Sequence, residues 1–245
     1  MGGGKDAILQ TKINVPNAGI KSLNDLTSKD LYSIFNLSDI PIIPSHQYWY
    51  DKFNNDEIDW KTWYEVNIIN KYSPRPCKSF NYRILHGQVN TESKLRYMKD
   101  KNGHYFSDGR CKICQLGIIE NVDHVLYFCE TSRRIWHGVQ VLINNFSNKN
   151  IVVDNIIATS GLWQEGISNE VLLLNSLLSI VRFHLWCIRC KIRHGGENID
   201  FNQSIRLLKT SIHNHMDNLL SSQSNDRDFL VMVQNLCDLV KDMHF

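Results

Sequence analysis

The sequence predicts a mostly α-helical protein, an irregular helical domain organised around a small cysteine/histidine turn and ending in a helical C-terminal tail. Three observations predict it. Apolar residues recur at helical spacing through most of the second half of the chain. Strand-type alternation is scarce. Three of the seven cysteines gather near one histidine in mid-chain, which marks a compact turn between helices. The chain of 245 residues is long enough to bury a core, and 42% hydrophobic with 21% charged residues excludes both a fibrous and a disordered protein.

Taken in order, residues 1–22 are expected to be a flexible N-terminal segment, 23–76 a helical lead-in, 77–137 a set of basic helices with the cysteine-rich turn, and 138–245 a C-terminal helical region packed on the rest. Residues 1–6 hold no apolar signal region, and Asp6 stands where a myristoylation signal needs Ser or Thr, so neither secretion nor lipid anchoring is expected. Leu23, Leu26, Leu31, Ile34 and Phe35 have helical spacing, with Thr27 or Ser28 able to cap. A helix from Trp60 to Tyr72 should end at Pro74-Arg75-Pro76, with the next opening near Cys77. On that next helix Cys77, Phe80 and Ile84 share a face and leave Ser79, Arg83 and His86 on another side. After a break at Gly87, Asn90 or Thr91 caps a helix carrying Lys94, Arg96 and Lys99.

The clearest helix runs from Val171 to Ile192, where Leu174, Leu177, Leu178, Val181, Leu185, Ile188 and Ile192 form one stripe. Asn175, Arg182 and His184 interrupt its apolar run, so it reads as a packed helix and no membrane span is expected. Arg182, Arg189 and Arg193 form a neighbouring stripe that either extends a basic surface or pairs with acidic groups from the tail. A third face carries Cys187, Cys190 and His194, which are either packing residues or part of a second metal site lacking an evident fourth ligand. Beyond Gly195-Gly196 follow helices through Phe201–Ile212 and Phe229–Val240, joined by a turn at 221–225, with His213 and His215 read as diverging surface residues.

An odd number of cysteines in a chain with no secretory signal argues for reduced thiols in an intracellular setting. Cys111-x2-Cys114-x9-His124-x4-Cys129 supplies four soft ligands, and two thiolates two residues apart grip a metal from one tight turn while a second pair closes a tetrahedron. Zinc, one ion per chain, is the expected cofactor. The alternative is that the thiols are small buried hydrophobes and His124 a satisfied core histidine. Residues five apart on a regular helix are rotated by about 140°, so His124 and Cys129 share a metal only if a helix begins or is distorted between them.

Charge is uneven along the chain. Lys/Arg against Asp/Glu is 6 to 9 over residues 1–65, 12 to 6 over 66–137, and 9 to 10 over 138–245. The basic middle suits a phosphate-binding surface, with Lys78, Arg83, His86, Lys94, Arg96, Lys99, Lys101, Arg110, Lys112, Arg133 and Arg134 as candidate nucleic-acid contacts. Taken singly, each of these reads first as an ordinary solvated side chain, and it is the collective surface that suits phosphate; Arg133-Arg134 could instead complement the negative end of the helix before Trp136. Tyr82, Tyr97, Tyr105 and Phe106 could stack on unpaired bases or belong to the core.

Together these residues resemble the zinc-binding C-terminal region of reverse transcriptases from non-LTR (LINE-type) retrotransposons. The landmarks are the four ligands, Trp60-Lys61-x-Trp63, Lys78-Ser79-Phe80-x-Tyr82-Arg83-Ile84-Leu85-His86-Gly87, Asn90-Thr91-x-x-Lys94-Leu95-x-x-Met98, Cys129-Glu130-x5-Trp136 and Ile180-Val181-x4-Trp186-x2-Arg189. They span roughly residues 23–194. The resemblance implies a region that helps hold element RNA or target DNA beside a polymerase core, in a nuclear or cytoplasmic ribonucleoprotein. No enzymatic activity is expected. The chain has no Asp-Asp dipeptide for a two-metal polymerase site, and Asp226-Arg227-Asp228 is too isolated for a nuclease. Two function classes follow: a non-catalytic zinc-stabilised nucleic-acid-binding module, or a zinc-stabilised helical scaffold that binds protein, the latter favoured by exposed-looking Trp49, Trp60 and Trp63.

Overall fold

The computed structural model describes residues 12–15, 19–22, 44–53, 58–114, 116–147, 149–196, 200–222 and 226–242. The helix expected over 23–37 and part of the turn at 221–225 lie outside the described residues. The chain divides into two units, residues 1–48 and 49–245. In the first, β1 (Lys12–Val15) pairs antiparallel with β2 (Gly19–Ser22), Lys12 opposite Ser22 and Val15 opposite Gly19. The segment expected to be flexible thus contains an antiparallel strand pair over residues 12–15 and 19–22. Its short period-2 pattern, Lys12-Ile13-Asn14-Val15, is weak in sequence because two four-residue strands offer little alternation.

The helices are α1 (Pro44–Lys52), α2 (Trp60–Tyr64), α3 (Arg75–Leu85), α4 (Glu92–Leu95), α5 (Glu130–Phe146), α6 (Asn155–Ser160), α7 (Asn169–Gly195), α8 (Phe201–Leu220) and α9 (Arg227–Lys241). The expected helix from Trp60 to Tyr72 is shorter: α2 passes into a π turn over Glu65–Ile69 that stops at Asn70. Asn67 Nδ2 and Asn70 Nδ2 bind back to the carbonyls of Trp63 and Val66 at 3.2 and 3.1 Å. α3 opens at Arg75, two residues earlier than expected, because Pro76 fits a first turn whose amides have no intrahelical partner.

α7 is the centre of the core. Ser168 Oγ accepts from Val171 N at 3.1 Å to start it, and Gly196 at φ +61° ends it in the left-handed conformation that glycine adopts without strain. The predicted stripe is buried from Leu174 to Ile188, with Ile192 half-buried. Against it pack Ile205, Leu208, Ile212 and Met216 of α8 and Phe229, Val233, Leu236 and Val240 of α9, while Phe229 stacks on Tyr72 at 4.0 Å. By length and composition α7 is long and apolar enough to cross a membrane, yet 83% of its most apolar window is buried inside the protein.

Two sequence expectations fail in this core. Trp49 and Trp63, which suggested an exposed docking face, are each 1% exposed. Arg182 belongs to neither a basic surface nor a tail ion pair. It is fully buried, with Nη1 donating to Thr159 O at 3.0 Å and Nη2 to Asn67 Oδ1 and Ser179 Oγ at 3.2 and 3.1 Å. Burial draws its pKa down to about 10. Asn67 and Asn175 also crowd Gly161, which sits at φ +79° where an added Cβ would lie 2.3 Å from Asn175 Oδ1.

Candidate metal centre

The first two ligands stand on a small hairpin-like turn. An isolated bridge pairs Arg110 with Ile119, Cys111 N donates to Ile118 O, and Glu120 N donates to Gly109 O, both at 2.9 Å. These bonds fold residues 109–120 back on themselves and put Cys111 and Cys114 in the connecting turn. Asp108 Oδ1 accepts from Arg110 N at 2.9 Å and pairs with Lys112 Nζ, which fixes the entry. Ile113 N points at Cys111 Sγ at 3.4 Å, so a backbone amide supports the sulfur.

The second two stand on a helix irregularity of the kind the spacing demands. His124–Phe128 is a π turn, closed by Cys129 N donating to His124 O at 2.7 Å, and an i to i+5 bond returns residues five apart toward one side. Cys129 then leaves helical geometry at ψ 137° and forms the N-cap residue of α5. Distortion and a new helix start both occur between the ligands. Ser132 Oγ and Trp136 Nε1 of α5 donate to the carbonyls of Val125 and Leu126, which locks the π turn to the helix that follows it.

One ligand atom from each of Cys111, Cys114, His124 and Cys129 lies within 4.8 Å of all the others, with Cys114 Sγ 3.5 Å from His124 Nε2. Tetrahedral ligands at zinc bond lengths stand about 3.3–3.8 Å apart, so the donor set fits this ion in both type and spacing. Cys111, His124 and Cys129 are buried, Cys114 is partly exposed, and none is in a disulfide. Without metal the Cys111 thiol, which hydrogen-bonds to Cys129 and is buried, is pushed up to about 12, while that same bond lowers Cys129. Two sulfurs sharing a proton in a buried cluster is the arrangement a cation would replace.

The surroundings tie this centre to the core through charges that the sequence pattern does not single out. Glu92 and Glu120 are fully buried, and Glu120 Oε1 accepts from Glu92 N at 2.9 Å. Arg189 of α7 reaches both, Nη2 to Glu92 Oε1 at 2.6 Å and Nε to Glu120 Oε1 at 3.0 Å, and Arg193 Nε stands 2.9 Å from Glu92 Oε1. Arg189 and Arg193 therefore pair with carboxylates of the cysteine-rich region and not with the tail. The only sequence signal was that the charges of Arg189 and Arg193 needed partners. Beside His124, Asp123 pairs with the half-buried Lys52, which also donates to Thr159 Oγ1 at 2.7 Å.

The candidate nucleic-acid contacts separate into three groups. Lys94 is exposed on α4, Lys99, Lys101, Arg110 and Lys112 are exposed on the loops leading into and forming the metal turn, and Arg96 packs half-buried against Gly109. Arg96 lies over the Tyr97 ring and Lys99 over Tyr105, each at 4.5 Å. On α3, Lys78 and Arg83 are half-buried, and burial with neighbouring Arg75 lowers the Lys78 pKa. His86 at the end of α3 is engaged with Tyr64 Oη at 3.0 Å. Arg133 and Arg134 sit in the first turns of α5, at the helix's positive end, so they do not complement a negative one. They instead lie over Phe128 and Phe201, at 5.7 and 3.6 Å. Cys187, Cys190 and His194 are not among the groups whose ligand atoms come together.

Fold and site define a helical protein carrying a Cys3His zinc-type centre in its basic middle. Residues 45–136 match the family model described as zinc-binding in reverse transcriptase. All four ligands fall inside the matched segment, which is narrower than the stretch over which sequence landmarks resemble that family. No curated protein and no solved structure matches the chain.

Proposed function

We propose that this protein is a non-catalytic, zinc-stabilised nucleic-acid-binding module of the non-LTR retrotransposon type, holding one zinc ion at Cys111, Cys114, His124 and Cys129. It works inside the cell, in a nuclear or cytoplasmic ribonucleoprotein, on RNA, DNA or both, beside a polymerase core. The observation that carries this reading is the array of exposed rings and cations on the metal-organised loops. Tyr97, Tyr105 and Phe106 are 71, 62 and 50% exposed, with Arg96 and Lys99 lying on the two tyrosines. Rings held outward in a basic setting suit sequence-tolerant stacking on unpaired bases, while cations release phosphate counterions.

Fluorescence anisotropy with a single-stranded RNA and a DNA duplex, over a range of salt, tests it. Replacing Lys94, Lys99, Lys101 and Arg110 together by Ala should weaken binding and flatten the log–log salt dependence for single strands by about 0.7 for each phosphate no longer neutralised. Tyr105→Ala should weaken single-strand binding by about 1–3 kcal/mol and leave the salt slope unchanged. Equal affinity and slope in all variants would remove the proposal. A second reading, docking to a protein such as the polymerase core, is favoured by one feature. Leu116, Ile118, Ile119 and Phe128 are exposed together around a cleft of about 560 Å³ beside His124. A salt-insensitive protein complex abolished by Ile118→Asp would support it.

A further inference from the structure

Away from Cys111, one other place among the described residues gathers three metal-ligating side chains: His213 and Asp217 of α8 with Cys237 of α9. His213 and Asp217 are one helical turn apart and so project from the same face, the i, i+4 spacing that lets one helix offer two ligands. Cys237 comes from the neighbouring helix. Its Sγ stands 3.2 Å from His213 Nδ1 and 3.7 Å from Asp217 Oδ1, and His213 Nε2 is 3.3 Å from Asp217 Oδ2. His213 meets Cys237 through Nδ1 and Asp217 through Nε2. Taking one ligand atom from each residue, all three lie within 4.8 Å of one another, and a modest closure brings them to the separation of about 3.3–3.6 Å between such donors around a tetrahedral zinc.

Burial is graded in the way a site open on one side requires. Cys237 is 1% exposed among Val233, Leu236 and Val240, so the thiol is fixed by the core, whereas the His213 and Asp217 side chains are 39 and 51% exposed. The nearby Asp238 binds Gln234 and Lys241, at 3.0 and 2.8 Å, and Asp238 and Lys241 form the charged surroundings of the trio. His215, two residues from His213, points elsewhere and binds Tyr72 O at 2.7 Å. The two histidines diverge as their spacing predicts, but only half of the surface expectation holds, since His215 is partly buried and His213 joins a cluster.

We propose that His213, Asp217 and Cys237 form a second metal site, for a divalent transition ion of the zinc class, with three protein ligands and a fourth position open to water. Binding couples α8 to α9 across the turn that joins them, and Cys237 releases its thiol proton to solvent as the metal–sulfur bond forms. This site is independent of the Cys111 centre and of nucleic-acid binding.

The test is zinc content of the purified 245-residue chain by elemental analysis, paired with titration of the zinc-free protein by Co2+, whose absorption reports thiolate coordination. Wild type should bind two ions. His213→Ala and Asp217→Asn, both at partly exposed positions that leave the core intact, should each bind one and keep the spectrum of the thiolate-rich centre. Cys129→Ser should keep a Co2+ spectrum with a single thiolate, and His213→Ala in that background should lose it. Cys237→Ser, with circular dichroism as a check of folding, should match His213→Ala. Wild-type metal content and spectra in both His213→Ala and Asp217→Asn would overturn the proposal, as would a single ion in wild type that persists in His213→Ala.

Discussion

Between Ser93 and Glu120 only Gly109, Cys111 and Glu120 are buried among the described residues, whereas α7 alone buries sixteen. The two regions are held by different physics. The helices α7, α8 and α9 lose apolar surface to one another, which stabilises by about 25 cal/mol per Å² and needs no special chemistry. The cysteine-rich loops bury almost nothing apolar and leave Met98, Leu116, Ile118 and Ile119 exposed. They are fixed by a few backbone bonds, the four ligands, and the buried Arg189–Glu92–Glu120 cluster that joins them to α7. A region so built can expose its rings and cations because its own folding does not require them inside.

The largest test of this contrast is metal removal. Chelation, or Cys129→Ser, should abolish hydrogen-exchange protection at the amides of Cys111 and Glu120 while those of α7 stay protected, since zinc binding in such units is worth about 10 kcal/mol or more. Concerted loss of protection in both regions would show that they form one cooperative unit. The link between them comes next. Arg189→Ala leaves buried Glu120 without its cation and Glu92 with Arg193 alone, and should destabilise the fold by about 3–5 kcal/mol in urea unfolding, whereas Arg189→Met together with Glu92→Gln and Glu120→Gln should recover part of this.

Acid should act on the helical region through His184, whose ring is buried against Ser204 and whose pKa burial lowers to about 4 from 6.5. The unfolded chain takes up this proton first, so stability is full above about pH 6.5, falls as pH drops toward 4, and the total loss is about 3 kcal/mol. His184→Asn should flatten the pH dependence of the urea midpoint in that window. The smallest effect is local to α7: Ser168→Ala removes the cap on Val171 N and should cost about 1 kcal/mol without changing zinc content. A change in metal content there would break the separation of the two regions.

The Cys/His cluster was legible in sequence because metal-type ligand sets leave a spacing signature. The five-residue step from His124 to Cys129 required an irregular helix, and the π turn supplies it. The α7 stripe was legible for a similar reason, since one face of a long helix repeats every 3.6 residues. The role of Arg182 was not, because a buried arginine satisfied by Thr159 O, Asn67 and Ser179 looks in sequence like any surface cation. Trp49 and Trp63 misled in the other direction, as aromatic side chains near acidic residues carry no mark of burial.

By itself, then, the sequence determined the helical class, the Cys/His quartet that clusters, the central helix and the basic middle, all of which are encoded in short-range spacing or composition. Only the tertiary structure decided which partners distant residues take: Glu92 and Glu120 with Arg189, 97 and 69 residues away, and Cys237 with His213, 24 residues away on another helix. The physical reason is that periodicity fixes the face a side chain occupies on its own element, while the packing of one element on another selects what that face meets.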